Sequence, residues 1–236
     1  MSCKPIKKTD ANKLWASRRD RRPAVRAERE YVLVATEDRK SSVYYFEALN
    51  ARLKQSSATL GVIPRGVGRN TQSLVNYVRK HRAEWLAEVQ KEILIEDFNQ
   101  VWVLFDRDSF PPCKFDNAIC SAAGSNAGFH VAWSNECFEL WYLLHFRNQI
   151  TPIGRLDIYD ALTKELSLSK NYAEYKGEDG RSVHVAMAMH PKLRTAIRRA
   201  RRLHKEWLSS KMPPSKDNPC TLIYKLMNVL LPQIID

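Results

Sequence analysis

A chain of 236 residues, 44% hydrophobic and 27% charged, carries enough apolar side chain for one substantial core and reads as one main domain with a smaller C-terminal addition. Its longest apolar runs, such as YVLVAT and VWVLF, are too short to cross a bilayer, no apolar stretch follows the lysines of MSCKPIKKTD, and the five cysteines have no regular spacing. A membrane span, a secretory signal and a disulfide scaffold are therefore not expected, and a reducing cytoplasm is.

Residues 1–30 form a basic arm, densest in SRRDRRPAVR, with Pro23 inside it and little apolar periodicity. The formal charge of +12 suits a polyanionic partner, and nucleic acid is the commonest. YVLVATE then reads as a strand, and SVYYFEALNARLKQ as a helix with Tyr45, Leu49 and Leu53 on one face. ATLGVIPRG is a second strand, with Gly61, Gly66 and Gly68 read as turn residues. TQSLVNYVRKHRAEWLAEVQKEI is a second helix that Thr71 is placed to cap. VWVLFD is a third strand, PPCKFDNAICSAAG is helical in its second half, FHVAWSN is a fourth strand, and ECFELWYLLHF follows as an apolar helix.

Uniformly apolar strands alternating with helices predict an α/β core over 31–149, a parallel sheet flanked by helices. From 150 to 236 the pattern turns polar and helical. LRTAIRRARRLHKEWL buries Ala196, Ala200 and Leu203 on one face and loads the rest with Arg198, Arg199, Arg201, Arg202 and Lys205, and CTLIYKLMNVLLPQI reads as a final helix. Two basic groups are candidates for phosphate-backbone contact: Arg18, Arg19, Arg21 and Arg22 in the arm, and the cations of the late helix. A solvated face is the competing reading for both.

The acids carry the chemistry. Glu37 ends the first strand, Asp106 and Asp108 end the third, and Glu139 stands one turn into the helix after the fourth. In a parallel sheet these ends share one edge, where open α/β folds bind ligands. Alternate residues of an extended segment point the same way, so Asp106 and Asp108 can face one hard cation while Arg107 faces elsewhere. An isolated DxD more often closes a turn or caps a helix; acids at the ends of two strands in a cationic chain favour a metal site. No P-loop, GxGxxG, zinc-binding cysteine set or GxSxG elbow is present. A DxD phosphohydrolase with Asp106 as nucleophile stays a runner-up, against which Phe110 stands where a Thr or Val is wanted. Arg39, Lys40 and Arg107 are candidates to stabilise charge beside the acids, with surface or ion-pair roles competing. His145, Trp133, Trp141 and Phe138 are read as core.

Glu37 followed by the later DxD resembles the Toprim domain of topoisomerases, primases and OLD-type nucleases. More narrowly, EDRKSSVYYFEAL, VWVLFDRDSF, SNECFELWYLLHF and DNPCTLIYKL resemble the RloB-like family of prokaryotic defence proteins, from about Tyr31 to the C-terminus. The resemblance implies a Toprim-like fold and a metal-dependent nuclease, an endonuclease on RNA (tRNA included) or DNA, in an antiviral abortive-infection system beside an ATPase of the ABC or AAA type. It implies Glu37 as acid/base, Asp106 and Asp108 as holders of Mg²⁺ or Mn²⁺, and Glu139 completing the acidic cluster. Two departures stand out: EDRKSS replaces the usual EGEKTE, which puts a second metal in doubt, and Glu136 replaces the proline of SNPCFELW. A non-catalytic subunit that binds nucleic acid or a partner is the alternative, and a homo-oligomer is allowed.

Overall fold

The computed structural model describes residues 29–55, 60–108, 110–124, 128–177 and 180–232. The arm cations Arg18, Arg19, Arg21 and Arg22 lie outside the described residues. Five strands form one sheet in the order β2-β1-β3-β4-β5: β1 (Glu30–Thr36), β2 (Leu60–Gly66), β3 (Gln100–Asp106), β4 (His130–Asn135) and β5 (Cys220–Thr221). The first four pair in parallel, and β5 pairs antiparallel with β4. Between them lie α1 (Ser41–Gln55), α2 (Thr71–Val89) and α3 (Pro112–Ala123), with α4 (Glu139–Phe146) after β4.

Topology explains the layers. The step from β1 to β2 runs one way along the sheet, and the step from β2 to β3 runs back past β1. Right-handed crossovers then put α1 on one face and α2 on the other. The packing agrees: α2 meets α3, whereas Tyr45 of α1 meets Phe138 and Tyr142, before and within α4. The central strands are covered on both faces, which is why Val32 to Ala35 and Val101 to Phe105 are all buried and read as continuous apolar runs. Tyr45, Leu49 and Leu53 are buried as their spacing predicts.

The later region comprises α5 (Arg155–Glu165), a 3-10 turn (Tyr172–Lys176), α6 (Arg181–Ala188), α7 (Leu193–Ser210), a 3-10 turn (Pro214–Lys216), β5 and α8 (Ile223–Leu230). It shares the core: α6 packs on α1, α7 on α4, and α8 on β4. Buried Trp141 donates from Nε1 to Tyr45 Oη at 2.9 Å, and Tyr45 reaches Met227 of α8.

Four local readings are corrected. CTLIYKLMNVLLPQI is not helical throughout, because Cys220 and Thr221 pair with Asn135 and Ser134. Leu222 N then donates to Trp133 O at 2.8 Å, so β4's outer backbone groups find partners that a helix would leave unmet. The segment after β3 is helical from Pro112 rather than only in its second half, since proline suits a first turn, where its missing N–H is not needed. Asn70, not Thr71, occupies the cap position of α2. Gly61 lies inside β2, where a Cβ would meet the Tyr31 ring at 2.7 Å, while Gly68 has the positive φ (68°) of a turn glycine.

Candidate active site

The sheet order reverses between β1 and β3, and in open α/β sheets the crevice at such a switch point, outside the strands' carboxyl ends, is the ligand site. Glu37 leaves β1 there and Asp106 ends β3. The register sets Thr36 beside Leu104, and Glu37 N continues the ladder to Leu104 O at 3.0 Å. Glu37 Oε2 in turn accepts from Asp106 N at 3.4 Å. Two acids that lie 69 residues apart in the chain thus meet side by side. They line a cavity of about 190 Å³ with Thr36, Asp38, Ser42, Asp108 and Lys176, closed on its apolar side by Phe138 and Ile223.

Burial raises the Glu37 carboxyl to about 7, and the Asp38 charge adds to this; the Asp106 N–H and Arg155 act the other way. Asp106 is partly buried and lines the cavity. Its carboxyl is raised well above the ordinary range, first by burial and then by the charges of Glu139 and Glu37. Like charges crowded in a dry site disfavour ionisation unless a cation relieves them.

Asp108 lines the cavity but forms an ion pair with Arg155 at the start of α5. It has φ of 44°, and its N–H donates to Glu136 O at 3.1 Å, so the second Asp of the DxD sits on a turn beyond the strand. The segment is therefore not extended as far as Asp108, although both aspartates line the cavity as expected. Arg107, between them, donates to the carbonyls of Asp108 (2.8 Å) and Phe110, fastening this turn instead of entering the cavity.

Asp38, which sequence reading passed over, also lines the cavity, yet both its oxygens are engaged. Oδ1 accepts from Lys40 N at 2.7 Å, and Oδ2 from Ser42 N at 3.2 Å and from Ser42 Oγ, capping α1. Arg39 is exposed and donates to Val67 O at 3.4 and 3.3 Å, away from the acids. Gly66 lets this turn close, since a Cβ there would stand 2.7 Å from Arg39 Cα. Lys40 is exposed and does not line the cavity, which corrects its candidacy.

Glu139 is 1% exposed and stands behind the cavity wall, its Oε1 paired with Lys176 Nζ at 3.0 Å. Lys176, at the end of the first 3-10 turn, also donates to Tyr159 Oη at 2.8 Å. Glu139 and Tyr159 hold the ammonium charged against the burial that opposes it. Glu139 Oε2 is buried, and among the described residues no hydrogen-bond partner for it is found. Neither Lys176 nor Tyr159 falls in a sequence motif, and nothing in their polar surroundings marks them out.

Among the described residues, no three His, Cys, Asp or Glu side chains are gathered as a ready metal cage. Arg155 and Lys176 engage Asp108 and Glu139 respectively, so two of the four acids already have cation partners. What remains, the Glu37–Asp106 pair beside a cavity, fits Mg²⁺, which takes one or two carboxylates and completes its shell with water and phosphate oxygens.

The cations of α7 divide. Arg198, Arg201, Arg202 and Lys205 are exposed, with Arg202 paired to Glu206 at 3.2 Å. Arg199 instead is half-buried and donates to Leu144 O at 2.7 Å, tying α7 to the last turn of α4. His145 is fully buried, is pushed down to about 4 by that burial, and bonds through Nδ1 to Trp141 O at 3.0 Å. Trp133, Trp141 and Phe138 are core. Among the described residues no helix is long and apolar enough to cross a membrane.

The family model for RloB-like proteins matches residues 32–230. No curated protein and no solved structure matches the chain.

Proposed function

The chain belongs to the RloB-like protein family, and from that premise we propose that it is a metal-dependent nuclease hydrolysing phosphodiester bonds in RNA or DNA. The observation that carries the reading is the meeting of Glu37 and Asp106 at the switch point of the sheet, in a cavity and with both carboxyls raised. Asp106 would hold Mg²⁺ or Mn²⁺, with Glu37 beside it. The ion, when bound, neutralises the crowded acids and polarises a phosphate oxygen.

With no metal bound, burial raises Glu37 to about 7; a cation beside it would lower that value and leave the carboxylate ionised to accept a proton from water at neutral pH. The Asp106 N–H aims its carboxylate. Phe138 and Ile223 keep one side of the cavity apolar, which strengthens the electrostatics within. Asp108 joins the site only if its pair with Arg155 opens. A defence role beside an ABC- or AAA-type ATPase goes with this reading, and co-purification with an ATPase encoded next to the gene tests it.

Labelled total RNA and plasmid DNA incubated with the protein in Mg²⁺, Mn²⁺ or EDTA test the activity. Cleavage is expected with metal only, and Glu37→Gln should abolish it while nucleic-acid binding persists. One observation favours a second reading: Arg155 and Lys176 already neutralise two of the four acids, as suits a non-catalytic binding subunit. Binding without metal-dependent cleavage in either Glu37 form would support that reading.

A further inference from the structure

Lys176 lines the same cavity as Glu37 and Asp106 and acts on the Asp106 charge. An ammonium has three N–H donors. One goes to Glu139 Oε1 at 3.0 Å and one to Tyr159 Oη at 2.8 Å. No partner for the third is found among the described residues, and the side chain is 35% exposed. The backbone is fixed as well, since Lys176 O accepts from Ser41 Oγ at 3.4 Å, at the first residue of α1.

Glu139 is almost wholly buried beneath this cation. A salt bridge whose only purpose was neutralisation would have no need to present a free donor to a cavity. A lysine held from behind by a buried acid and a phenol has instead been aimed, with little conformational freedom left to lose when an anion arrives.

We propose that Lys176 forms an anion subsite in the cavity, donating its third N–H to a non-bridging oxygen of the substrate phosphate, with Glu139 and Tyr159 as positioning residues. This rests on the nuclease reading of the same site. In the hydrolysis a water oxygen bonds to phosphorus and gives its proton to Glu37, while the ester P–O bond breaks and the leaving oxygen departs with the bonding pair and takes a proton from solvent. Lys176 keeps its proton and stabilises the charge that gathers on the phosphoryl oxygens. Glu139 is then the anchor of the ammonium rather than a metal ligand.

Two measurements on the full chain test this. In thermal denaturation, Mg²⁺ alone should raise the melting temperature of the wild type, and inorganic phosphate added with Mg²⁺ should raise it further. Lys176→Met should keep the first rise and lose the second, and Lys176→Arg should keep both. Since Lys176→Met leaves Glu139 buried and unpaired, a double variant with Glu139→Gln removes both charges and should give the same result.

In the cleavage assay Lys176→Met should lower kcat about 10²–10³-fold, as loss of one transition-state donor does, with KM little changed and partial rescue by Lys176→Arg. A second rise that survives in both Lys176→Met forms, or no phosphate response in the wild type, overturns the anion subsite. Absence of the Mg²⁺ rise in the wild type overturns the metal reading instead, so the two failures are distinguishable.

Discussion

At the scale of single residues, Glu37 ties the chemistry to stability. Its folded-state pKa is about 7 against an ordinary 4.5, so between those values the folded chain holds a proton that the unfolded chain has released. Stability from this group therefore falls as pH rises through that window, and is restored as pH falls. Melting temperatures measured in EDTA from about pH 5 to about pH 8 should show Glu37→Gln gaining on the wild type as pH increases; a constant gap would place the carboxyl in water. Glu37 and Asp106 were legible in the sequence because each ends an apolar run, and a parallel sheet forces such ends onto one edge. Lys176 and Arg155 were not legible. Their importance comes from which acid each meets across the fold, 37 and 47 positions away in number, and no local pattern encodes that.

Among elements, the entry to α1 shows how one carboxylate is excluded from chemistry. Asp38 stands next to Glu37 in the same cavity, yet its oxygens satisfy N–H groups of the helix start. Asp38→Ala should cost about 1–2 kcal/mol, the usual value of a lost cap, read as a lower urea midpoint. A second clamp joins α3 to the turn before β5. Asp116 accepts from Ser215 N at 2.9 Å and from Ser215 Oγ at 2.7 Å. Asp116→Ala should destabilise by roughly 2 kcal/mol, since hydrogen bonds to a charged acceptor are among the stronger ones; an unchanged urea midpoint would mean that solvent replaces both bonds.

The four parallel strands and α1, α2 and α4 were readable from period and composition. The two-residue β5 was not, because its pairing is dictated by the open edge of β4 and leaves no periodicity of its own.

For the molecule as a whole, the excess of positive charge is expressed on α7 through the exposed Arg198, Arg201 and Lys205. If this face follows a phosphate backbone, changing all three to Gln should reduce the slope of log K against log salt by about 2–3, near 0.9 for each lost contact. Filter binding of the Glu37→Gln protein across a salt series measures this apart from cleavage, and an unaltered slope would remove α7 from the interface.

The place of β5 and Ile223 has a further consequence for biosynthesis. Residues that follow all four parallel strands in the chain complete the sheet and line the apolar side of the cavity. A nascent chain that has not yet released them has an open β4 margin and an unfinished pocket, so the pocket is completed only after all four parallel strands have been made, and a product stopped before Cys220 should accumulate as insoluble material.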